Sequence, residues 1–174
     1  GNFSAGAMLL IFRPFKVGDV VSVAGVTAKV VEIELFTTQF DTPDNRRIII
    51  PNGAIFGSTI ENITFHPTRR VDVDVGTSYD ADLRETRAVL DRVARETEGV
   101  LEDPAAQVYL KQLGGSSIDW AIRVWTETSE YWAVRERLTH SIKIALDEAG
   151  IGIPYPQMDV HVDGELAGAP AADR

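Results

Sequence analysis

The run Ala5-Gly6-Ala7-Met8-Leu9-Leu10-Ile11-Phe12, closed by Arg13-Pro14, constrains this chain most. Pro14 lacks an amide proton and pushes the residue before it out of helical geometry, so a helix arriving from the N-terminal side must end near Arg13. From residue 1 to residue 12 only Asn2 and Ser4 are polar and none is charged; Arg13 and Lys16 then follow at once. A membrane-crossing helix takes ~20 apolar residues, so this segment is too short to cross alone. It reads in two ways: as the last turns of a longer membrane helix with a basic collar where it leaves the bilayer, or as an ordinary buried helix.

Composition narrows the partners. The 174 residues carry a formal net charge of −9 and a pI of about 4.8. Phosphate binding rewards dense Lys and Arg, so nucleic acid is not an expected partner. With no cysteine in the chain, disulfides and thiolate chemistry are excluded. No secretory signal is evident, and the Gly-Asn start suggests part of a longer product.

From residue 18 to about 65 the pattern is of short β-branched strands broken by turn signals, with Ala24-Gly25 and Thr42-Pro43-Asp44-Asn45 the clearest. Residues 19–23, 27–34, 35–41 and 47–50 read as strands, and 55–63 as a helical turn followed by a strand. This predicts a small, strongly bent β-barrel. After a linker at 66–68 the pattern changes. A strand at 70–77 precedes a helix capped by Asp80 and ending near Glu98, with Gly99 as its C-cap. Its stripe is Leu83, Leu90, Val93 and Ala94. Strands at 107–113 and 117–126 flank the turn at Gly114-Gly115-Ser116. Ser129 is placed to cap a second helix that reaches Ala149, with Tyr131, Val134, Leu138, Ile142 and Ala145 on one face. A last strand is expected at 157–162. The order β-α-β-β-α-β is that of a ferredoxin-like unit. The class is α+β, with segments 1–16 (helix), 17–66 (β domain), 67–163 (αβ domain) and a mobile tail at 164–174.

Catalytic and metal patterns are missing. His66, His140 and His161 share no ligand spacing, and the Gly-Gly-Ser-Ser run has no Lys or helix after it, which favours a hairpin over a phosphate nest. The Asp72/Asp74 and Asp80/Asp82 pairs are explained by an exposed strand face and a helix start. Trp125, in an apolar strand, is expected in a core or interface, and Arg69-Arg70 at a domain or subunit junction. No enzyme and no cofactor is expected.

Four stretches resemble the small-conductance mechanosensitive (MscS-like) channel family: residues 2–19 with Phe12-Arg-Pro-Phe15; Ile48-Ile-Ile-Pro-Asn-Gly-Ala-Ile-Phe-Gly57 with Asn62; Leu113-Gly-Gly-Ser-Ser-Ile118 with Arg123-Val-Trp125; and Gly152-Ile-Pro-Tyr-Pro-Gln-Met-Asp159. The resemblance implies an Sm-like β domain and a ferredoxin-like αβ domain, assembled as a homoheptameric cage on the cytoplasmic side of the inner cell membrane. It implies a tension-gated channel that releases ions and small osmolytes on hypo-osmotic shock. Asn2, Ala5, Gly6 and Phe12 would then belong to the lower half of the third membrane helix, where the family can kink at Gly6. Arg13 and Lys16 would meet lipid headgroups. Phe36, Pro51, Asn52, Gly53 and Asn62 would be structural or interface residues of the β domain. Pro154, Tyr155, Pro156, Met158 and Asp159 would form the junction and strand of a closing parallel barrel. Ala28 and Ala54 stand where relatives often have Gly and Lys. The net negative charge, repeated around a ring, would disfavour anions in the vestibule. The remaining alternative is a cytosolic ligand-binding or regulatory module on the ferredoxin-like half.

Overall fold

The computed structural model describes residues 1–164, so most of the 164–174 tail lies outside the described residues. The chain divides into two compact units: Gly1–Arg69 with Thr126–Tyr131, and residues 70–125 with 132 onward.

In the first unit, helix α1 (Asn2–Phe12) stops where Arg13 turns left-handed, at φ 47°, ahead of Pro14. Strands β1 (Val20–Val23), β2 (Val26–Ile33), β3 (Thr37–Asp41) and β4 (Arg47–Pro51) lead into the short helix α2 (Asn52–Phe56) and strand β5 (Ile60–Asn62). They form one antiparallel sheet in the order β4-β3-β2-β1-β5. Ala24 and Gly25 both take positive φ, 46° and 77°, which the tightest β1–β2 connection demands. A bulge between Val30 and Glu32 bends β2, and the inward residues meet in one core around Leu9, Phe15, Val21, Val30, Phe40 and Ile55. Leu35 and Phe36 form a bend instead of continuing a strand. Thr128 returns to this unit, its backbone N–H donating to the Pro67 carbonyl at 2.9 Å. The Arg69 guanidinium lies 3.8 Å from the centroid of the Tyr131 ring.

In the second unit, β6 (Thr68–Thr77), β8 (Ile118–Glu127) and β7 (Gln107–Leu113) form a sheet in the order β6-β8-β7. Helices α3 (Leu83–Glu96) and α4 (Tyr131–Glu148) complete the unit. Along β8 the side chains of Trp120, Ile122 and Val124 are buried; so are Leu90 and Val93 of α3 and Val134, Leu138 and Ile142 of α4.

Several expectations shift. The cap of α3 is Asp82, not Asp80, because a turn closed by the Ala81 N–H on the Ser78 carbonyl occupies residues 78–81. The helix ends at Glu96, with Thr97 and not Gly99 as its C-cap, and Thr97 Oγ1 bonds back to the Val93 carbonyl. Leu83 is exposed at the first turn, and Thr86 takes the inward place. Ser129 is not the residue before α4: it sits inside a single 3-10 turn, Thr128–Glu130, and the helix starts at Tyr131. Trp120 is the core tryptophan, its Nε1 donating to Thr77 Oγ1 at 3.0 Å, while Trp125 is half-buried. Residues 157–162 form no strand here, since a strand exists only against a neighbour and no described segment of this chain pairs with them.

Candidate functional site

The residues singled out in the N-terminal half converge on the seat of α1. Asn2 opens the helix and its Oδ1 accepts the Gly53 N–H at 2.9 Å, joining α1 to the first turn of α2. One turn on, Gly6 touches bare backbone: a β-carbon there would stand 2.3 Å from the Leu35 carbonyl oxygen and 2.6 Å from Asn52 Nδ2. Only glycine admits that approach without displacing main chain. Ala5 and Leu9 flank Gly6 on the same buried face.

Asn52 holds the other side. It is fully buried, and its backbone N–H and both side-chain polar atoms have partners: the N–H donates to the Phe36 carbonyl at 2.9 Å and Nδ2 to the Glu34 carbonyl at 2.9 Å, while Oδ1 accepts from Thr38 Oγ1 at 2.7 Å. A buried amide so satisfied fixes the 34–36 bend against α2, and the bend supplies the carbonyl that Gly6 meets. Pro51, extended at the end of β4, precedes α2 at a position that needs no amide proton. The Phe3 and Phe36 rings lie 6.2 Å apart at the edge of this seat.

Below α1 the chain is tied down as a collar. Phe15 enters the core beside Phe40. Asp19 is nearly buried, and its Oδ2 accepts the Lys16 N–H and Asn62 Nδ2, each at 3.0 Å. Asn62 Nδ2 also donates to the Pro14 carbonyl at 3.1 Å. Three short bonds thus hold the 14–19 loop and leave the Arg13 and Lys16 side chains exposed. Arg13 Nε lies 3.4 Å from the Leu10 carbonyl, a favourable place for a cation at a helix C-terminus. A cleft of about 170 Å³ opens beside the collar, lined by Arg13, Lys16, Asn62, Thr64 and Phe65 among others.

The other side of α1 is bare. Ile11 and Phe12 are 71% and 67% exposed, and Leu10 is exposed with them; Phe3, beside Phe36, is 54% exposed. No helix among the described residues is long and apolar enough to cross a membrane. Among the same residues no group of His, Cys, Asp or Glu could hold a metal ion.

Residues 1–65 match the family pattern described as "Mechanosensitive ion channel, beta-domain", and residues 71–153 match "Mechanosensitive ion channel MscS, C-terminal". The chain belongs to the MscS family of mechanosensitive channels. It is 42% identical over 161 residues to the small-conductance mechanosensitive channel of Edwardsiella ictaluri (strain 93-146), covering 92% of this chain and 56% of that protein. An uncharacterised MscS family protein of Synechocystis is 37% identical over 161 residues, 92% of this chain and 54% of its own length. The crystal structure of Helicobacter pylori MscS in a closed state superimposes with a TM-score of 0.89 at 28% identity, covering 94% of this chain and 65% of that one. Arabidopsis thaliana MSL1 shares the fold, with a TM-score of 0.76 at 18% identity over 88% of this chain and 58% of that one. The chain therefore spans little more than half the length of the curated relatives it matches. The family is one of membrane channels, not enzymes.

Within this MscS-family chain, Asn2, Gly6, Asn52 and Gly53 form one contact system beside buried Ala5, and Asn62 forms a second with Pro14 and Asp19. Gly6 marks a close approach inside an unbroken helix. Phe12, at the end of α1, is exposed. Pro154, Tyr155, Pro156, Met158 and Asp159 lie in the second unit, none of them buried. Sequence reasoning missed Thr38 and Thr64, the latter accepting the Val20 N–H at 3.0 Å. Neither threonine carries a local signal; only the register of the sheet brings them in.

Proposed function

We propose that this chain is the cytoplasmic-side portion of a tension-gated channel of the cell membrane that releases ions and small osmolytes on hypo-osmotic shock. In this reading residues 1–16 are the lower half of the third membrane helix, 17–66 an Sm-like β domain, and 67–163 a ferredoxin-like αβ domain of a homoheptameric cage. The observation that carries it is the two-sidedness of α1: one face is bonded to the β unit through Asn2–Gly53 and the Gly6 notch, and the other presents Phe3, Leu10, Ile11 and Phe12 to its surroundings. An uncharged helix with such an outer face is stable against lipid or the same helix of another copy, not against water. Arg13 and Lys16 then stand where anionic headgroups lie. Tension that moves the helix is transmitted to the β unit through Asn2, Gly6, Asn52 and Gly53, while Phe36, Pro51 and Asn62 hold the surfaces that receive it. Met158 and Asp159, beyond the rigid Pro154-Tyr155-Pro156, supply the strand that closes the cage with its counterparts.

The test is expression of the full-length protein bearing this sequence in bacteria stripped of their own osmotic channels. Tension-activated currents in excised patches and survival of downshock are expected. Silent patches and unimproved survival, with the protein present in the membrane, would overturn the reading.

A further inference from the structure

Two stretches that carry the family resemblance, far apart in sequence, are bonded to each other in the second unit. The hairpin turn at 114–117 is closed by the Gly114 N–H on the Ser117 carbonyl at 2.8 Å. Ser116 Oγ accepts the N–H of Gln157 at 3.1 Å. Tyr79 Oη donates to the Gly114 carbonyl, and the Ser78 N–H donates to the Gly152 carbonyl at 2.9 Å. The loop after β6 and the β7–β8 turn thus grip both ends of residues 152–157. The turn is itself rigid. A β-carbon on Gly114 would stand 2.9 Å from both the Ser117 carbonyl and Asp119 Oδ2, and Asp119 is braced by Ser117 Oγ at 2.6 Å and Gln112 Nε2 at 2.8 Å.

Immediately beyond the gripped residue the sequence alternates Met158, Val160, Val162 with Asp159, His161, Asp163, the pattern of a half-buried strand. Yet Met158, Val160 and Val162 are 84%, 70% and 61% exposed, and no strand among the described residues pairs with them. The polar row is self-complementary. Parallel strands staggered by two residues, the kind of offset a closed barrel requires, set His161 beside Asp159 or Asp163 of the next copy. Antiparallel pairing centred on His161 would set Asp159 against Asp163, like against like.

We infer that the 114–117 turn is a positioning seat, with Ser116 its contact atom, that aims residues 157–162 at the same segment of a second copy of this chain. The inference rests on the self-assembly reading above. It gives the Gly-Gly-Ser-Ser run a function that neither a phosphate nest nor a plain hairpin supplies: it fixes the direction in which residues 157–162 leave the turn.

The test uses the absence of cysteine in the chain. Val160→Cys is introduced alone, with Ser116→Ala and with Ser116→Thr, and labelled with a nitroxide. Mass by light scattering and dipolar broadening of the label are read on each. The single variant is expected to be oligomeric with strongly coupled labels. Adding Ser116→Ala should lower the coupled fraction about threefold, the scale of one lost hydrogen bond, at unchanged mass and unchanged melting. Ser116→Thr, which keeps the hydroxyl, should restore it. An oligomer whose coupling ignores Ser116→Ala overturns the seat, and an oligomer with uncoupled labels in every variant overturns the pairing of 157–162. A monomeric mass overturns the self-assembly reading itself and the inference with it.

Discussion

Helices α1 and α3 are similar in length, 11 and 14 residues, and each serves one of the two units, but they are held by different means. α3 is finished for water. Asp82 caps it by accepting the Arg84 and Glu85 N–H groups, each at 2.9 Å, its inward stripe is Thr86, Leu90, Val93 and Ala94, and its outer positions carry Arg84, Asp91, Arg92 and Arg95. α1 has no side-chain cap bond and no charge. It is retained by a glycine notch, one asparagine bond and the burial of Ala5 and Leu9, and its outer face is as apolar as its inner one. A helix shaped by the hydrophobic effect in water shows contrast between its faces; a helix that shows none was shaped by a second apolar surrounding. That contrast, more than any single residue, separates α1 from the water-finished helix of the second unit.

The largest expected effect is on the side that depends on apolar burial. Leu90→Ala should cost about 2–5 kcal/mol, because Leu90 is fully buried and the cavity would be only partly refilled. Urea unfolding followed by the fluorescence of buried Trp120 checks it, and a loss below the range would weaken the claim that α3 is held by its stripe. Next comes Gly6→Ala, expected to cost about 1–3 kcal/mol by overpacking against the Leu35 carbonyl. In a surface helix the same change would be favourable, so an unchanged or raised stability would break the notch description of α1. Gly115→Ala, which meets nothing within 4 Å, serves as the neutral control. Asp82→Ala should cost about 1 kcal/mol, the scale of a lost N-cap, measured by thermal melting.

The smallest effect is electrostatic. The Arg47 hydrogen bond and charge hold Asp41 of the first unit below the usual carboxylate range. Asp119 of the second unit is held below it first by the Ser117 hydroxyl and the Gln112 amide, neutral donors. Both carboxyls have folded values lower than unfolded ones. Each therefore contributes stability in full above the ordinary Asp range, and loses it as the pH falls through the folded value. Added salt should bring Asp41 back toward its ordinary value and leave Asp119 nearly where it was. Carboxyl-detected NMR titration at low and high salt reads both at once, and equal salt sensitivity would refute the assignment of causes.

Much of this was legible in the chain itself. The stop of α1 at Arg13-Pro14, the Ala24-Gly25 reversal, the 107–113 strand with its hairpin and the glycine stop at Gly150 after α4 follow from local rules that need no partner. Asp80 and Asp82 could not be separated by such rules: both suit a helix start, and the turn at 78–81 decides between them. Gly6, Asn52 and Asn62 could be noticed as residues, but not what each one touches.

What the sequence determined by itself is the local geometry and the alternation of apolar and polar positions. These depend on backbone sterics and on period, which are properties of neighbours along the chain. Tertiary structure alone decided that Gly6 meets a carbonyl 29 residues away, that buried Asn52 finds partners for its side-chain amide, and that residues 157–162 leave the β7–β8 turn with no strand partner among the described residues. Those facts depend on the register of strands distant in sequence, and register is fixed only when whole faces are buried together.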